Sequence, residues 1–226
     1  MIAPLRISSM ILNILSCVAV LLLSTVQSKP LVHDPTPPHP HFPSTFEAQF
    51  RVIIKANVTA PNGTNAGYGE GHWAVDYEGN KSVVRYDIHE PHHEEVKNLY
   101  LERHDLGYKY FVTSANKSAC QKVKVEGRLS YTWTYVEDAT YVKRGTYKGE
   151  QLDFWEGRAG SNGTEVLTGV YVDNPNEPAV IQFHAAEEAV NFTITYEMTE
   201  FKSKVPPASD FEVPKVCQEE HNYDRI

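Results

Sequence analysis

Alternating apolar and polar positions run through this chain and predict β-strands. From Phe46 to Ala56 the even positions are apolar, and the odd positions are polar except for Ile53. Residues 190–199 repeat the pattern, with apolar side chains at every even position. Because a period of two places alternate side chains on opposite faces of a strand, both segments predict half-buried antiparallel strands.

Shorter segments with the same character fill the region between these two. They are separated by turn sequences such as Glu78-Gly79-Asn80 and Asp105-Leu106-Gly107. The further strand candidates are Gly71–Tyr77, Ser82–Ile88, Asn98–Glu102, Tyr108–Thr113, Gln121–Val125, Gln151–Glu156, Val166–Val172 and Ala179–His184. About ten short strands joined by hairpins indicate an antiparallel sheet that curls or closes.

A helix competes with the strand pattern in one segment, Tyr131–Tyr141, where a short helix could cover one mouth of the curved sheet. We therefore expect a mostly β protein. The predicted organisation is a signal peptide (1–28), a proline- and histidine-rich extended leader (29–43), a single β domain (44–217) and a C-terminal tail (218–226).

The N-terminus predicts secretion. Arg6 is the only charge before Lys29, and the apolar run Met10–Leu23 is too short for a comfortable membrane span. Small residues before Lys29 suit signal-peptidase cleavage, with a signal anchor as the alternative. No second apolar run of spanning length follows, so no transmembrane segment is expected in the mature chain.

Cysteine content agrees with an oxidising compartment. Cys17 lies in the predicted signal, which leaves Cys120 and Cys217 in the mature chain. One disulfide is the simplest pairing, and two separate thiols are the alternative.

The sequons and the net charge point to a secreted glycoprotein that does not bind nucleic acid. Asn57 and Asn191 fall in the polar register of their predicted strands, where a glycan would face solvent. The net charge of −8, or −9 without Arg6, disfavours nucleic acid and anionic membranes as partners. The sequons begin at Asn57, Asn62, Asn80, Asn116, Asn162 and Asn191.

A short metal-binding pattern occurs once. His89-Glu90-Pro91-His92-His93 matches the H-E-x-x-H sequence of zinc metalloproteases, in which both histidines lie on one helix face. Here a predicted strand precedes the pattern, and Pro91 disfavours helical geometry at Glu90. We expect a solvated hairpin loop, with weak metal capture by His89, His92 and His93 as the alternative and a zinc hydrolase as a further one.

Other catalytic signatures do not occur. The chain has no G-x-S-x-G elbow, no phosphate-binding glycine loop and no pair of carboxylates placed for glycosidase chemistry. We therefore expect a protein without enzymatic activity and without a cofactor.

Aromatic residues carry the main hypothesis about function. Tryptophans and many tyrosines and phenylalanines lie in or beside the strand candidates, where they either fill a core or line a concave apolar pocket. The residues that we expect to line such a pocket are Phe50, Val52, Ile54, Trp73, Trp155, Phe192, Ile194 and Tyr196.

The order of several segments resembles one protein family. These segments include Phe42–Phe46, Gly71–Tyr77, Ser82–Asp87, the run from Gly149 to Trp155, and Phe211–Cys217. Together they resemble secreted animal proteins with a LolA-like domain, the broad group that includes ependymin-related proteins. Ependymins typically have four cysteines in the mature chain, whereas two remain here, so the resemblance is to the broader group.

The resemblance implies a half-open antiparallel β-barrel with a helical plug, in secreted glycoproteins that bind lipids or other hydrophobic ligands. It implies no catalytic residues. The expected function is therefore non-enzymatic binding of a lipid or hydrophobic small molecule in the concave face of the sheet. The alternative is an extracellular matrix, adhesion or developmental interaction protein with a filled core, linked to calcium.

Overall fold

The structure is a computed structural model that describes residues 36–58, 65–89, 95–114, 119–160, 164–187 and 190–218. The signal peptide, most of the leader and the C-terminal tail predicted from the sequence lie outside these ranges. Of the side chains within strands, those of residues 56–58, 65–66, 185–187 and 190–192 are not described.

Eleven strands form one antiparallel sheet with the order β6-β5-β4-β3-β2-β1-β11-β10-β9-β8-β7. The two ends of this order, β6 and β7, are not paired with each other, so the sheet stays open. The strands are β1 (Thr45–Val58), β2 (Asn65–Asp76), β3 (Lys81–His89), β4 (Val96–Arg103), β5 (Tyr108–Thr113), β6 (Ala119–Lys124), β7 (Thr140–Tyr147), β8 (Glu150–Ala159), β9 (Thr164–Tyr171), β10 (Pro178–Glu187) and β11 (Val190–Lys202).

Helices are few and short in the described residues. They are α1 (Thr134–Glu137), a 3₁₀ helix (Ala208–Phe211) and α2 (Lys215–Gln218). The predicted fold class, mostly β with an open antiparallel sheet and a short helix, is confirmed.

Every predicted strand overlaps a strand of the structure, whereas β7 was not predicted. The expected helix over Tyr131–Tyr141 is reduced to the single turn α1, and β7 begins directly after it. The side chains of β7 are mostly exposed. An edge strand with little burial has a weak alternation of apolar and polar residues, which explains why the pattern did not reveal it.

Chain contacts divide the described residues into two compact units. The first comprises the described residues up to Phe42, within Ile53–Ala66 and within Trp133–Glu197. The second comprises those within Pro43–Val52, Gly67–Thr132 and Met198 onward. The prediction of a single domain stays a prediction.

The second unit packs its C-terminal segment on one sheet face. In the strand register, Ala74 is opposite Val83, Val83 is opposite Leu101 and Leu101 is opposite Tyr110, so these four side chains form a row. Phe211 of the 3₁₀ helix completes this core cluster. The Arg103 guanidinium donates to the Phe211 carbonyl at 2.6 Å, which holds the segment on the sheet.

The structure contains the predicted disulfide, between Cys120 of β6 and Cys217 of α2. Both cysteines are half-buried and pack against the cluster around Phe211. The disulfide therefore fastens the C-terminal segment at the strand that forms one edge of the sheet.

The first unit buries both faces of its sheet. Leu152, Phe154 and Val180 form a core cluster on one face. Because side chains alternate, the neighbouring residues Trp155 and Ile181 lie on the other face, which also carries the short helix.

Candidate ligand-binding site

A row of side chains crosses four strands of the first unit. In the strand register, Trp155 is opposite Thr168, Thr168 is opposite Ile181 and Ile181 is opposite Tyr196, so all four side chains share one face. Phe183 of β10 lies on the same face, and its ring contacts that of Tyr196 with centroids 5.6 Å apart.

Helix α1 covers part of this face. A Cβ atom at Gly157 would lie 1.9 Å from the Tyr135 carbonyl oxygen, so a glycine at this position lets the helix approach β8. The Tyr135 ring then packs between those of Trp133 and Phe183, with centroid distances of 6.3 and 6.0 Å. We call Trp133, Tyr135, Trp155, Phe183 and Tyr196 the aromatic cluster.

The end of the leader packs beside the same cluster. The His39 ring meets the Trp155 ring edge-on at 4.8 Å, and His39 Nε2 lies 3.3 Å from the Ala139 carbonyl oxygen. Phe42 is buried, with its ring 4.8 Å from that of Trp133. The proline-rich composition of the leader gave no sign of these contacts.

Three polar atoms beside the aromatic cluster are buried and have no hydrogen-bond partner within the described part of the chain. They are the hydroxyl of Tyr135, the indole Nε1 of Trp155 and the hydroxyl of Thr168. The three residues are only 7%, 4% and 1% exposed, respectively. Since buried polar groups in native proteins are nearly always hydrogen-bonded, this concentration marks the cluster as a candidate site.

Burial also affects the tyrosines of the cluster. It raises the pKa of Tyr196 to about 12. It raises the pKa of Tyr135 as well, and the Thr168 hydroxyl, which approaches the phenol without the geometry of a hydrogen bond, lowers that pKa by less. A phenol is protonated at neutral pH even at its ordinary pKa of about 10, and burial moves both tyrosines further in that direction.

A polar cleft in the second unit is the other candidate. It has a volume of about 430 Å³, and its lining includes Gln49, Arg51, Glu70, His72, Arg85 and Asp87. Its charged residues pair with one another or with neighbours: Arg51 with Glu70, Arg85 with Asp210, and Asp87 with Lys97. Because these charges are already compensated, the cleft offers no unsatisfied charge to a ligand.

His72 at the base of this cleft has both ring nitrogens engaged. Nδ1 lies 2.9 Å from the Gln49 amide nitrogen and Nε2 lies 3.0 Å from an Asp210 carboxylate oxygen. Since the amide nitrogen only donates, Nδ1 accepts and Nε2 carries the proton. Neither nitrogen is free to accept a proton from a substrate, so this histidine holds the 3₁₀ helix in place.

The residues predicted to line a pocket are distributed over both units. In the second unit Phe50 and Val52 are buried, and the half-buried Trp73 contacts the Phe46 ring at 5.2 Å. In the first unit Trp155 and Ile194 are buried, and Ile54 and Tyr196 are half-buried. Phe192 lies in β11, and its side chain is outside the described residues. Trp155, Ile194 and Tyr196 share the face of the aromatic cluster, and the pocket itself stays a prediction.

Sequence reasoning did not select Tyr135 or Thr168 as site residues. Thr168 shares its register with Val166 and Val170, so alternation places it on an apolar face without marking it as a binding residue. The proximity of the Tyr135 hydroxyl to Thr168 depends on the packing of α1 on the sheet, and no sequence signal connects the two segments.

The histidine-rich segment begins in a strand. His89 is the last residue of β3, pairs with Tyr68 and contacts its ring, and the hairpin partner β4 follows. His89 therefore lies in a strand, whereas the first histidine of the zinc-metalloprotease sequence lies on a helix. His92 and His93 lie outside the described residues, and within the described ranges no group of three metal-ligating side chains forms a site.

The sequons are only partly described. Asn80 sits in the β2–β3 turn with φ of 61°, and its side-chain oxygen accepts a hydrogen bond from the Leu129 N–H at 2.6 Å. Asn57 and Asn191 lie in β1 and β11, but their side chains are not described. Asn62, Asn116 and Asn162 lie outside the described residues. Glycosylation stays a prediction at all six positions.

Several solved structures are similar to this chain at low sequence identity. A DUF1329 family protein from Desulfovibrio piger is 8% identical with a TM-score of 0.34, covering 74% of this chain and 89% of its own. A domain from Vibrio parahaemolyticus described as an outer membrane lipoprotein-sorting domain is 11% identical with a TM-score of 0.30, covering 74% and 88%. The Pseudomonas aeruginosa MucA/MucB complex matches at 12% identity and a TM-score of 0.32, covering 77% and 57%.

Similarity at this level carries no argument about what this chain binds. No protein-family model and no curated protein matches the chain. Across the part of the chain that the structure describes, no helix has the length and apolarity that a membrane crossing requires.

Proposed function

We propose that this protein binds a lipid or another hydrophobic ligand at the aromatic cluster of its first unit, without catalysing a reaction. The observation that carries the proposal is the cluster itself, in which sheet aromatics lie beneath one turn of helix beside buried polar atoms that lack partners. A ligand at such a site is held by removal of apolar surface from water, at roughly 25 cal/mol per Å².

The proposal includes secretion and glycosylation. A disulfide between Cys120 and Cys217 supports an oxidising compartment, as does the apolar segment Met10–Leu23. Membership of the secreted animal LolA-like and ependymin-related group is part of the same proposal, supported by the order of segments in the sequence.

We propose that the protein is not an enzyme because the two histidines considered as catalytic candidates, His72 and His89, are not placed for catalysis. Both ring nitrogens of His72 are engaged by neighbouring side chains, and His89 ends a strand. Elemental analysis of the purified protein tests for metal-dependent hydrolysis. If the wild type contains one zinc per chain and His89→Ala removes it, the proposal is contradicted.

The second candidate function is an extracellular interaction or matrix protein with a filled interior. The observation that favours it is the direct contact between rings of the aromatic cluster, at 5.6 to 6.3 Å. Calcium-dependent self-association without any extractable ligand would select this candidate.

Lipid extraction of protein secreted by animal cells tests the proposed function. We expect mass spectrometry of the organic extract to show a bound lipid, and we expect the delipidated protein to take up methyl parinarate, a fluorescent fatty-acid ester. Phe183→Ala should weaken this uptake about tenfold, because the ligand loses part of its apolar contact.

Phe111→Ala is the matched control. Phe111 is also half-buried and also packs on a tyrosine, Tyr100, but it belongs to the second unit. Empty extracts together with no uptake of methyl parinarate by the wild-type protein would reject the proposed function.

A further inference from the structure

Three of the unpartnered polar groups of the first unit belong to side chains on one sheet face or in the helix above it. Trp155 and Thr168 are direct cross-strand partners on β8 and β9. Tyr135 lies above Gly157, two residues from Trp155 on the same face, and its hydroxyl is near that of Thr168. Paired residues on one face of a sheet have Cβ atoms about 5 Å apart, so the side chains of Trp155 and Thr168 are neighbours, and that of Tyr135 adjoins Thr168.

Their hydrogens cannot all be satisfied within the group. An indole N–H only donates, and each hydroxyl carries one hydrogen. If the Tyr135 and Thr168 hydroxyls bond to each other, one O–H is used and the other still needs an acceptor, and the Trp155 N–H has no hydrogen-bond partner in the described structure. Leaving a buried donor unpaired is destabilising, so the region favours a molecule that brings an acceptor.

The surroundings favour an uncharged acceptor. Asp153 projects from β8 on the same face, is buried, and accepts hydrogen bonds from Arg144 Nε and Nη2 at 2.9 and 3.0 Å. Since Arg144 already pairs with Asp153, it does not compensate a second carboxylate. A buried anion without a cation is strongly disfavoured, whereas a neutral carbonyl oxygen accepts hydrogen bonds at little cost.

Building on the proposed function, we propose that Tyr135, Trp155 and Thr168 form the polar end of the binding site. They bind the uncharged carbonyl oxygen of an amphiphile such as a fatty-acid ester. The acyl chain then lies along Phe183, Ile194 and Tyr196, on the same sheet face.

Competition between three probes of similar length tests this assignment. Methyl dodecanoate carries a neutral carbonyl, tridecane has no acceptor, and dodecanoate is an anion. Each displaces methyl parinarate from the delipidated wild-type protein and from the variants Thr168→Val and Tyr135→Phe, which keep the shape of the side chain and remove the hydroxyl.

The expected result is a selective loss for the ester. The wild-type protein should bind methyl dodecanoate more tightly than either other probe. Each variant should weaken methyl dodecanoate about 3- to 10-fold, the equivalent of one lost hydrogen bond, and change tridecane less than about twofold.

Two matched variants control for the loss of a hydroxyl elsewhere. Thr195 is buried in β11 and faces away from Ile194 and Tyr196, so Thr195→Val should leave both probes unchanged. Tyr141 contacts the Trp155 ring, but its hydroxyl lies 3.4 Å from Asp153, so Tyr141→Phe should also leave the preference for the ester intact.

Other outcomes overturn the assignment in distinguishable ways. If methyl parinarate binds but ester and hydrocarbon compete equally, these donors do not bind the ester carbonyl, and the inference is wrong while the proposed function stands. Tighter binding of dodecanoate than of methyl dodecanoate would contradict the uncharged acceptor. No uptake of methyl parinarate at all would reject the proposed function together with the inference.

Discussion

Asp210 links three separate parts of the second unit through one carboxylate. One oxygen accepts from His72 of β2 and the other accepts from Arg85 of β3 at 2.7 Å, while Asp210 itself lies in the 3₁₀ helix. The side chains of His72 and Asp210 are 8% and 11% exposed, so water replaces this interaction poorly. This residue therefore stabilises the C-terminal segment more than a surface ion pair could.

We predict that Asp210→Ala lowers the free energy of unfolding by about 2–3 kcal/mol, because it leaves the His72 N–H buried without an acceptor. Urea unfolding followed by circular dichroism measures the change. Asp87→Ala is the control: Asp87 pairs with Lys97 at the surface and should matter much less. Equal losses for the two variants would show that the contact with His72 adds nothing.

At the scale of elements, helix α1 depends on close approach to β8. The helix has four residues and no side-chain cap, and a helix of this length is too short to be stable by itself. Its position is set by burial of Tyr135 and Val136 and by the missing side chain at Gly157. The helix is therefore a product of tertiary packing, which explains why sequence pattern located it only within Tyr131–Tyr141.

We predict that Gly157→Ala destabilises the protein by about 1–3 kcal/mol and weakens methyl parinarate uptake, because the new methyl group displaces α1 from β8. Thermal unfolding and probe titration measure the two effects. Gly145→Ala is the matched control, since its Cβ would meet only the Phe154 ring, at 3.3 Å. If both variants behave alike, the approach of α1 to β8 is not what positions the cluster.

The β7–β8 hairpin shows how local sequence can determine an element that periodicity misses. Lys148 and Gly149 have φ angles of 49° and 94°, and they connect the paired residues Tyr147 and Glu150. Two consecutive residues with positive φ form the turn that suits a two-residue hairpin. The turn thus marks β7 even though its exposed side chains do not.

At the scale of the whole molecule, the disulfide joins residues 97 positions apart. Closing so long a loop restricts the unfolded chain, which raises the free energy of unfolding through loop entropy. The bond also fixes α2, directly beyond the 3₁₀ helix that buries Phe211.

We predict that replacing Cys120 and Cys217 together by serine lowers the free energy of unfolding by about 4–5 kcal/mol. Chemical denaturation of the oxidised wild type and of the double variant measures this difference. The wild type after reduction should match the double variant. A loss below about 1 kcal/mol in both would show that the cross-link is not a major source of stability.

The sequence by itself determined the β character of the chain, the approximate position of every strand except β7, and the two cysteines of the disulfide. These features are local or compositional: a period of two is visible within a few residues, and the predicted signal leaves only two cysteines to pair. Tertiary structure decided which faces meet. The position of Thr168 opposite Trp155, the helix over Gly157, and the packing of His39 on Trp155 all join residues distant in the chain. Their contacts depend on strand register and on burial by other segments, and neither is encoded in the alternation of a single strand.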